Sequence, residues 1–317
     1  MALTLLGAAC VLMGCHNDSI KQDDRLSVVT TIFPEYDWVK NILGDEAENA
    51  EITMLLDNGV DLHSYQPTVD DMVKILNCDL FIYVGGESDE WAEDALRSSG
   101  NPNRKVINLL EVLGDAVKNE ERAEGMEEQD HEHDHDHEEE KDEHVWLSLR
   151  NAKVICLAIA EQLSVLDPDN KDVYAKNLLT YTQSLTALDN EYCKAAEEGA
   201  RKTLLFGDRF PFRYLVDDYG LEAFAAFSGC SAETEASFET ITFLAGKVDE
   251  LGLPCVLTVE DDNHKIAQTI VQNTKAKNQQ VLTMDSMQST TSQDVKNGAS
   301  YLSVMQKNLE VLKTALQ

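Results

Sequence analysis

Ser27-Val28-Val29-Thr30-Thr31-Ile32, then the helically spaced residues 36–43, then Glu51-Ile52-Thr53-Met54-Leu55-Leu56 form the stretch on which the fold turns. The two outer runs are β-branched and short, as strands are, and the segment between them carries the spacing of a helix. Working outward, residues 80–84 and 105–107 repeat the strand pattern, with helical spacing over 69–76. Strand–helix alternation of this kind predicts a parallel sheet covered by helices. A second set follows at 203–206, 222–227, 255–259 and 280–283, with helical stretches at 238–251 and 264–274. The fold class expected is therefore α/β: two similar lobes, each a parallel sheet with flanking helices.

Between the two sets, residues 168 to 199 run for roughly thirty positions without an internal Pro or Gly. Asp167 before Pro168 reads as an N-cap with proline in the first turn. Val173, Leu178, Leu179, Leu185 and Leu188 supply part of an apolar stripe. At 1.5 Å per residue this is a rod of about 45 Å, a stiff connector rather than a hinge. The expected organisation is residues 27–166 as the first lobe, 167–200 as a linking helix and 201–317 as the second lobe.

Composition narrows the function. The chain has 317 residues, 43% of them hydrophobic, enough to bury a sizeable core. It carries 58 acidic against 26 basic residues, a formal charge of −32. So anionic a protein repels phosphate backbones, which argues against nucleic acid and toward cations as partners. After the first fifteen residues no apolar run approaches the roughly 18–20 residues that cross a bilayer.

The N-terminus reads as an address. Residues 2–14 are small or apolar apart from Thr4 and end at Cys15, the length of a signal-peptide apolar region. Leu12-Met13-Gly14-Cys15 resembles a lipobox, which predicts a signal peptide over 1–14, lipidation of Cys15 and a polar tether over 15–26. Cys10 fits less well, because Gly7 stands where a larger aliphatic belongs. No Lys or Arg precedes Lys21, so the start of the signal is expected further upstream. The remaining cysteines, Cys78, Cys156, Cys193, Cys230 and Cys255, are odd in number and contain no C-x-x-C. They read as small apolar residues, with room for one oxidised pair outside the cytoplasm.

Residues 115–143 are the anomaly, with 15 acids against 3 bases and no apolar periodicity. Within them His131, His133, His135 and His137 alternate with carboxylates, half of the chain's eight histidines in seven residues. A charge run is ordinarily a solvated loop. Imidazoles beside carboxylates also bind borderline divalent ions, here weakly and multivalently.

Outside that loop, His63 lies in the turn-rich segment Gly59-Val60-Asp61-Leu62-His63-Ser64-Tyr65-Gln66-Pro67, after the second predicted strand. Ligands in parallel α/β folds bind beyond the carboxyl ends of strands, which is where this histidine falls. By itself it is as well explained by hydrogen bonding within its own loop. His144 opens His144-Val145-Trp146-Leu147-Ser148, beside apolar residues that can hold it rigidly. Asp285 and Glu260 each follow a predicted strand, where an acid usually caps the next helix.

Taken in order, several motifs resemble the zinc/manganese class of ABC-transporter substrate-binding lipoproteins, the cluster A-I metal receptors, and most closely their zinc-binding branch. They are Thr31-Ile32-Phe33-Pro34, the Gly59 to Pro67 loop, Gly85-Gly86-Glu87 with Trp91, and the His-rich loop. His144 to Ser148, Tyr219-Gly220-Leu221, and Tyr301-Leu302 with Asn308-Leu309 complete the set. The resemblance implies one metal site in the cleft between lobes, with two ligands from each. His63 and His144 match the first-lobe ligands and Asp285 the last acid. The third position departs from the pattern. The family has His or Glu five residues before a Tyr that itself stands five before the Tyr-Gly-Leu; counting back from Tyr214 lands on Arg209. A guanidinium has no lone pair to donate. Asp208, one residue earlier, is the substitute expected, with Glu233, Glu235, Glu260 or a water as alternatives. A charged Arg209 in the cleft calls for a partner, Asp208 or Glu235.

The resemblance thus implies an extracytoplasmic Zn2+ receptor, with Mn2+ or iron as alternative cargo. It would be anchored by lipid, act as a monomer, and serve an ABC permease and its cytoplasmic ATPase. The linking helix implies a modest shift between lobes on release. Two other classes compete. A zinc hydrolase would also use His and carboxylate, but no Gly-x-Ser-x-Gly occurs and the resemblance covers no enzyme, so no enzyme is expected. A surface adhesin or passive metal buffer would depend on the loop and not on His63 or Asp285.

Overall fold

The computed structural model describes residues 25–120, 125–126, 140–231, 235–259 and 264–317. The signal segment, Cys15 and the tether up to residue 24 lie outside these residues. So do the four loop histidines His131, His133, His135 and His137, and both Glu233 and Glu260.

Among the described residues, eight strands form two sheets. The first contains β1 (Leu26–Thr30), β2 (Ala50–Met54), β3 (Leu80–Tyr83) and β4 (Lys105–Asn108) in the order β2-β1-β3-β4. The second contains β5 (Thr203–Phe206), β6 (Glu222–Ala225), β7 (Cys255–Thr258) and β8 (Gln280–Thr283) in the order β6-β5-β7-β8. Every pairing is parallel. The two sheets therefore share one topology. In each, the chain passes first to one side of its opening strand and then to the other. That leaves a switch point between β1 and β3 and another between β5 and β7, the places where such sheets open a crevice at their carboxyl ends.

The first lobe's helices are α1 (Phe33–Leu43), α2 (Val69–Asn77), α3 (Glu90–Arg97), α4 (Leu109–Leu113) and α5 (Leu149–Leu166). After the connector α6 (Lys171–Glu198) come α7 (Arg213–Asp218), α8 (Phe238–Leu251), α9 (Lys265–Asn273), α10 (Ser292–Lys296) and α11 (Tyr301–Ala315). Among the described residues no helix is long and apolar enough to cross a membrane.

The connector differs in detail from its expectation. Pro168–Asn170 forms a separate 3-10 turn, so the N-cap of α6 is Asn170 and not Asp167. Asp167 Oδ2 instead accepts from Asn170 Nδ2 at 2.9 Å and from the Tyr174 hydroxyl at 2.6 Å. The 28 residues of α6 make a rod of about 42 Å. Its buried stripe is Tyr174, Tyr181, Leu185, Leu188, Tyr192 and Ala196, while Val173 and Leu179 face solvent. Tyrosines can occupy that face because each hydroxyl reaches an acceptor: Tyr181 donates to Asp37 Oδ2 at 3.3 Å and Tyr192 to the Met305 carbonyl at 2.6 Å. The connector is also not alone. α5, which begins where Ser148 Oγ accepts from the Asn151 amide at 3.0 Å, lies along it as the other arm of a helical pair.

One contiguous core runs through both lobes, from Val28, Trp38 and Trp146 to Tyr301 and Leu312. A smaller cluster, including Leu205, Leu244, Val256 and Ile270, fills the space between the second sheet and helices α8 and α9. The lobes are pinned at Trp146 and Tyr301. Trp146 Nε1 donates to the Ser286 carbonyl at 2.8 Å, and the Tyr301 hydroxyl donates to the Trp146 carbonyl at 2.7 Å.

Among the carboxyls sealed in the first lobe are Glu35, Asp37 and Asp89. Burial pushes Asp37 up to about 6 and Asp89 up to about 7, although Asp89 Oδ2 accepts from the Val84 and Gly85 amides at 2.9 and 3.1 Å. A carboxyl whose folded pKa is raised binds its proton more tightly folded than unfolded. Its stabilisation is therefore present in acid and lost as pH climbs from the unfolded value of about 3.9 through about 7. Urea unfolding at about pH 4.5 and pH 7.5 should show Asp89→Asn losing less stability across that interval than the unmutated chain, by on the order of 2 kcal/mol. Equal losses in both would remove Asp89 as a source of the dependence.

Candidate metal centre

His63 sits on a 3-10 turn, Leu62–Ser64, that Asp61 caps by accepting from the His63 amide at 2.9 Å. Tyr65 and Thr68 both bond the Asp71 carboxylate, tying the end of this loop to the start of α2. The His63 ring is then gripped from behind, with Nδ1 2.7 Å from Ser88 Oγ and 3.4 Å from Glu143 Oε2. Burial alone would raise Glu143. Its contacts with His63 and Ser88 outweigh that and hold it below the ordinary value. An ionised carboxylate can only accept, so the His63 proton belongs on Nδ1 and the lone pair on Nε2.

His144 is wholly buried and held the same way: its amide and its Nδ1 both donate to Asp142 Oδ1, at 2.9 and 3.0 Å. Burial would lower its pKa, but Asp142, then Asp61 and Glu143, raise it further than burial lowers it, leaving it above the ordinary 6.5. Asp142 and Glu143, adjacent in the chain, thus orient both imidazoles, the carboxylate–histidine arrangement typical of metal ligands.

The outcome is that His63 Nε2 and His144 Nε2 face each other at 3.2 Å. Two 2.0–2.1 Å bonds to one tetrahedral zinc span a chord of about 3.3–3.4 Å, so the two nitrogens already stand as ligands stand. Cys230 completes the group: one ligand atom from each of His63, His144 and Cys230 lies within 4.8 Å of the others. Cys230 arrives on the turn after β6. Its predecessor Gly229 must be glycine, since a Cβ there would stand 2.9 Å from the Phe210 carbonyl and 3.0 Å from His144 Cε1. Burial, with Glu120, Glu143 and Asp142 adding to it, pushes the thiol up, so it is protonated until a cation arrives.

The other expected residues fall elsewhere. Asp208 follows β5, but its carboxylate accepts from the Arg209 amide at 2.8 Å and the Val259 amide at 3.1 Å, outside the three-residue group. Asp285 also stands outside it; Oδ1 accepts from the Met287 amide at 2.8 Å, and burial raises its pKa. Glu235 is exposed. Arg209 does reach the cleft, where it pairs at 2.8 Å with Asp61 of the other lobe, a partner not foreseen. The Gln288 amide lies 3.2 Å from His144 Nε2, closing that side. Of the residues missed, Asp142 and Glu143 carried a signal, two acids directly before a candidate histidine. Cys230, in Ser228-Gly229-Cys230-Ser231, carried none.

A hollow of about 470 Å³ opens onto His63 and Cys230, walled by Glu87, Glu120, Glu140 and Glu143 with Lys141. It lies where the ends of the acidic segment meet, Glu120 and Asp142 donating backbone N–H bonds to Glu140 and Lys118. A larger hollow of about 740 Å³, at the amino ends of the first sheet's strands, contains no such ligand group among the described residues.

If Asp142 orients His144, then Asp142→Ala should weaken Zn2+ binding by about 10–100-fold in calorimetry while leaving the fold intact. The Tyr214 hydroxyl bonds the backbone carbonyl of Asp142, which the substitution keeps. Unchanged affinity would show that the pair does not depend on it.

Residues 28–315 match the family model described as zinc-uptake complex component A, periplasmic. The chain is 30% identical over 311 residues to zinc-binding lipoprotein AdcA of Streptococcus pneumoniae serotype 4, covering 98% of this chain and 60% of that relative. It is 32% identical over 319 residues to the high-affinity zinc uptake system protein ZnuA of Bacillus subtilis strain 168, covering 98% and 95%. The crystal structure of the Zn(II)-bound ZnuA-like domain of the pneumococcal AdcA superposes with a TM-score of 0.72 at 27% identity, over 92% of this chain and 99% of that one. With nearly the whole described chain inside that family match, and two histidines poised as a ligand pair between its lobes, the protein belongs to the zinc-uptake complex component A family.

Proposed function

We propose that this chain is the extracytoplasmic receptor of a zinc ABC importer. It captures one Zn2+ between its lobes at His63 and His144, and delivers it to a membrane permease driven by a cytoplasmic ATPase. It works as a single chain, held at the membrane by lipid on Cys15, and is no enzyme. The observation that carries the reading is the pair of Nε2 atoms at 3.2 Å, each ring fixed from behind by a carboxylate. Two neutral imidazoles suit Zn2+ better than the harder Mn2+. The position left after the protein's nearest donors is open to water or to Asp285. The His-rich segment and the acid-walled hollow beside the site raise the local concentration of cations, an effect that salt screens.

Calorimetric titration with Zn2+ tests this on three forms: the chain itself, a deletion of residues 121–139 that spares Asp142 and Glu143, and His63→Ala. One tight site should survive the deletion and vanish in His63→Ala. Tight binding that disappears with the loop and ignores His63 would make the protein a metal-buffering surface lipoprotein instead. The pH dependence has a definite sign. Protonated His144 has no lone pair on Nε2, and its pKa is raised, so affinity should begin to fall above pH 6.5 as the solution is acidified. A progressive loss between pH 8 and pH 6 is expected, and constant affinity across that interval would separate His144 from the metal.

A further inference from the structure

The third donor of the centre does not come from where the family pattern puts it. Arg209 stands at that position and is engaged with Asp61, and the neighbouring Asp208 carboxylate is tied to two backbone amides. The segment after β5 therefore turns a cation and an already bonded carboxylate toward the cleft. The segment after β6 brings Cys230 in its place. Its approach is built: Gly229 packs against the His144 ring with no room for a side chain, and the Cys230 amide donates to Glu120 Oε1 at 2.9 Å. The thiol lines the hollow that opens onto His63, and it is in no disulfide.

We propose that Cys230 is the third protein ligand of the inter-lobe site, so that this chain holds its cation through two imidazoles and one thiolate. The inference rests on the zinc-receptor reading and adds to it the identity of the donor. Zn–S and Zn–N bonds of 2.3 and 2.0–2.1 Å place sulfur about 3.6 Å from each nitrogen in a tetrahedral site. With the three ligand atoms already inside 4.8 Å, the sulfur closes by about 1.2 Å at most. As the metal–sulfur bond forms the S–H bond breaks and its proton leaves to solvent, the two electrons of that bond becoming the donated pair. A thiolate is a soft donor, so it biases the site toward Zn2+, Co2+ and Cd2+ and against Mn2+. Selectivity against manganese would then reside in Cys230, on a background where Arg209 bars an oxygen ligand from the usual place.

Co2+ is the probe that reports sulfur directly, because thiolate coordination adds a sulfur-to-cobalt charge-transfer band in the near ultraviolet. The full chain carrying Cys15→Ala, to prevent lipidation, should bind one Co2+ with this band, and Cys230→Ser should abolish the band. Cys230→Ser should also weaken Zn2+ by more than about 100-fold, beyond a typical loss behind the ligand shell, while changing Mn2+ affinity by less than about threefold. The band is read on a chain with Cys230 intact, so the test does not depend on the Cys230 variant folding. Tight binding in both forms, without the band but lost in His63→Ala, would overturn the thiolate and leave the receptor standing. Tight binding that survives both Cys230→Ser and His63→Ala would overturn the site itself, and the thiolate with it.

Discussion

Two imidazole nitrogens, one of wholly buried His144 and one of partly buried His63, facing one another at 3.2 Å are the constraint around which the rest of this molecule is arranged. With both lone pairs turned inward the rings repel, and nothing in their own covalent structure keeps them there. What does is the polar groups behind them, Asp142 on His144, and Ser88 with the Glu143 carboxylate on His63. These acids must themselves be packed tightly. Gly86 adopts φ +83°, and a Cβ on it would collide with the Glu143 carboxylate. On the opposite side Gly229 lies flat against His144. Backbone without side chains is used where imidazole and carboxylate need the volume, and a cation between the nitrogens relieves the repulsion.

The electrostatics of the centre follow from how few of its charges are uncompensated. Arg209 would oppose a divalent cation, yet Asp61 cancels it at 2.8 Å, and His63 and Arg209 together hold that carboxylate below its ordinary value against the effect of burial. What remains is the anionic pair Asp142 and Glu143, one bond removed from the metal position. Beyond them the wall of the hollow is acidic, and crowding by Glu140, Glu143, Glu90 and Glu120 adds to the desolvation that raises Glu87. A cation approaching through the hollow passes Glu87, Glu120, Glu140 and Glu143 before it reaches the imidazole nitrogens. The formal charge of −32 favours cations as partners in the same sense.

How much of this was readable in the chain depends on how local each cause is. Strand runs and helical spacing are local, and all eight strands fall where their β-branched runs predict them to within two residues at either end. The buried face of α6 was harder to see. Its tyrosines read as polar until their hydroxyls find Asp37 and Met305, residues more than a hundred positions away. His63 and His144 stood out because turn chemistry and a neighbouring apolar run are features of adjacent residues. Cys230 did not. A single cysteine in a Ser-Gly-Cys-Ser turn means nothing until the second sheet places it against two imidazoles of the first lobe. The Arg209–Asp61 pair, 148 positions apart, is the same kind of fact: the misfit of an arginine was visible, its partner was not.

The division of donors between lobes sets how such a site can let go. His63 and His144 belong to the first lobe and the proposed ligand Cys230 to the second, while Gln288 of the second lobe touches His144, and Trp146, two residues from His144, bonds the Ser286 carbonyl just before Gln288. Ligand bonds of 2.0–2.3 Å lose most of their strength within about 1 Å of extension, so a small displacement of one lobe is enough to strip a donor. A large one is resisted: α6 and α11 pack together, Tyr301 bonds both Trp146 and Asp37, and the core is continuous across the lobes. Under the receptor reading proposed above, the architecture suits release by a slight repacking at the Trp146–Ser286 contact. Because that contact lies so close to both His144 and Gln288 in the chain, a partner pressing on the second lobe would reach the metal position through covalent neighbours and not through a distant hinge.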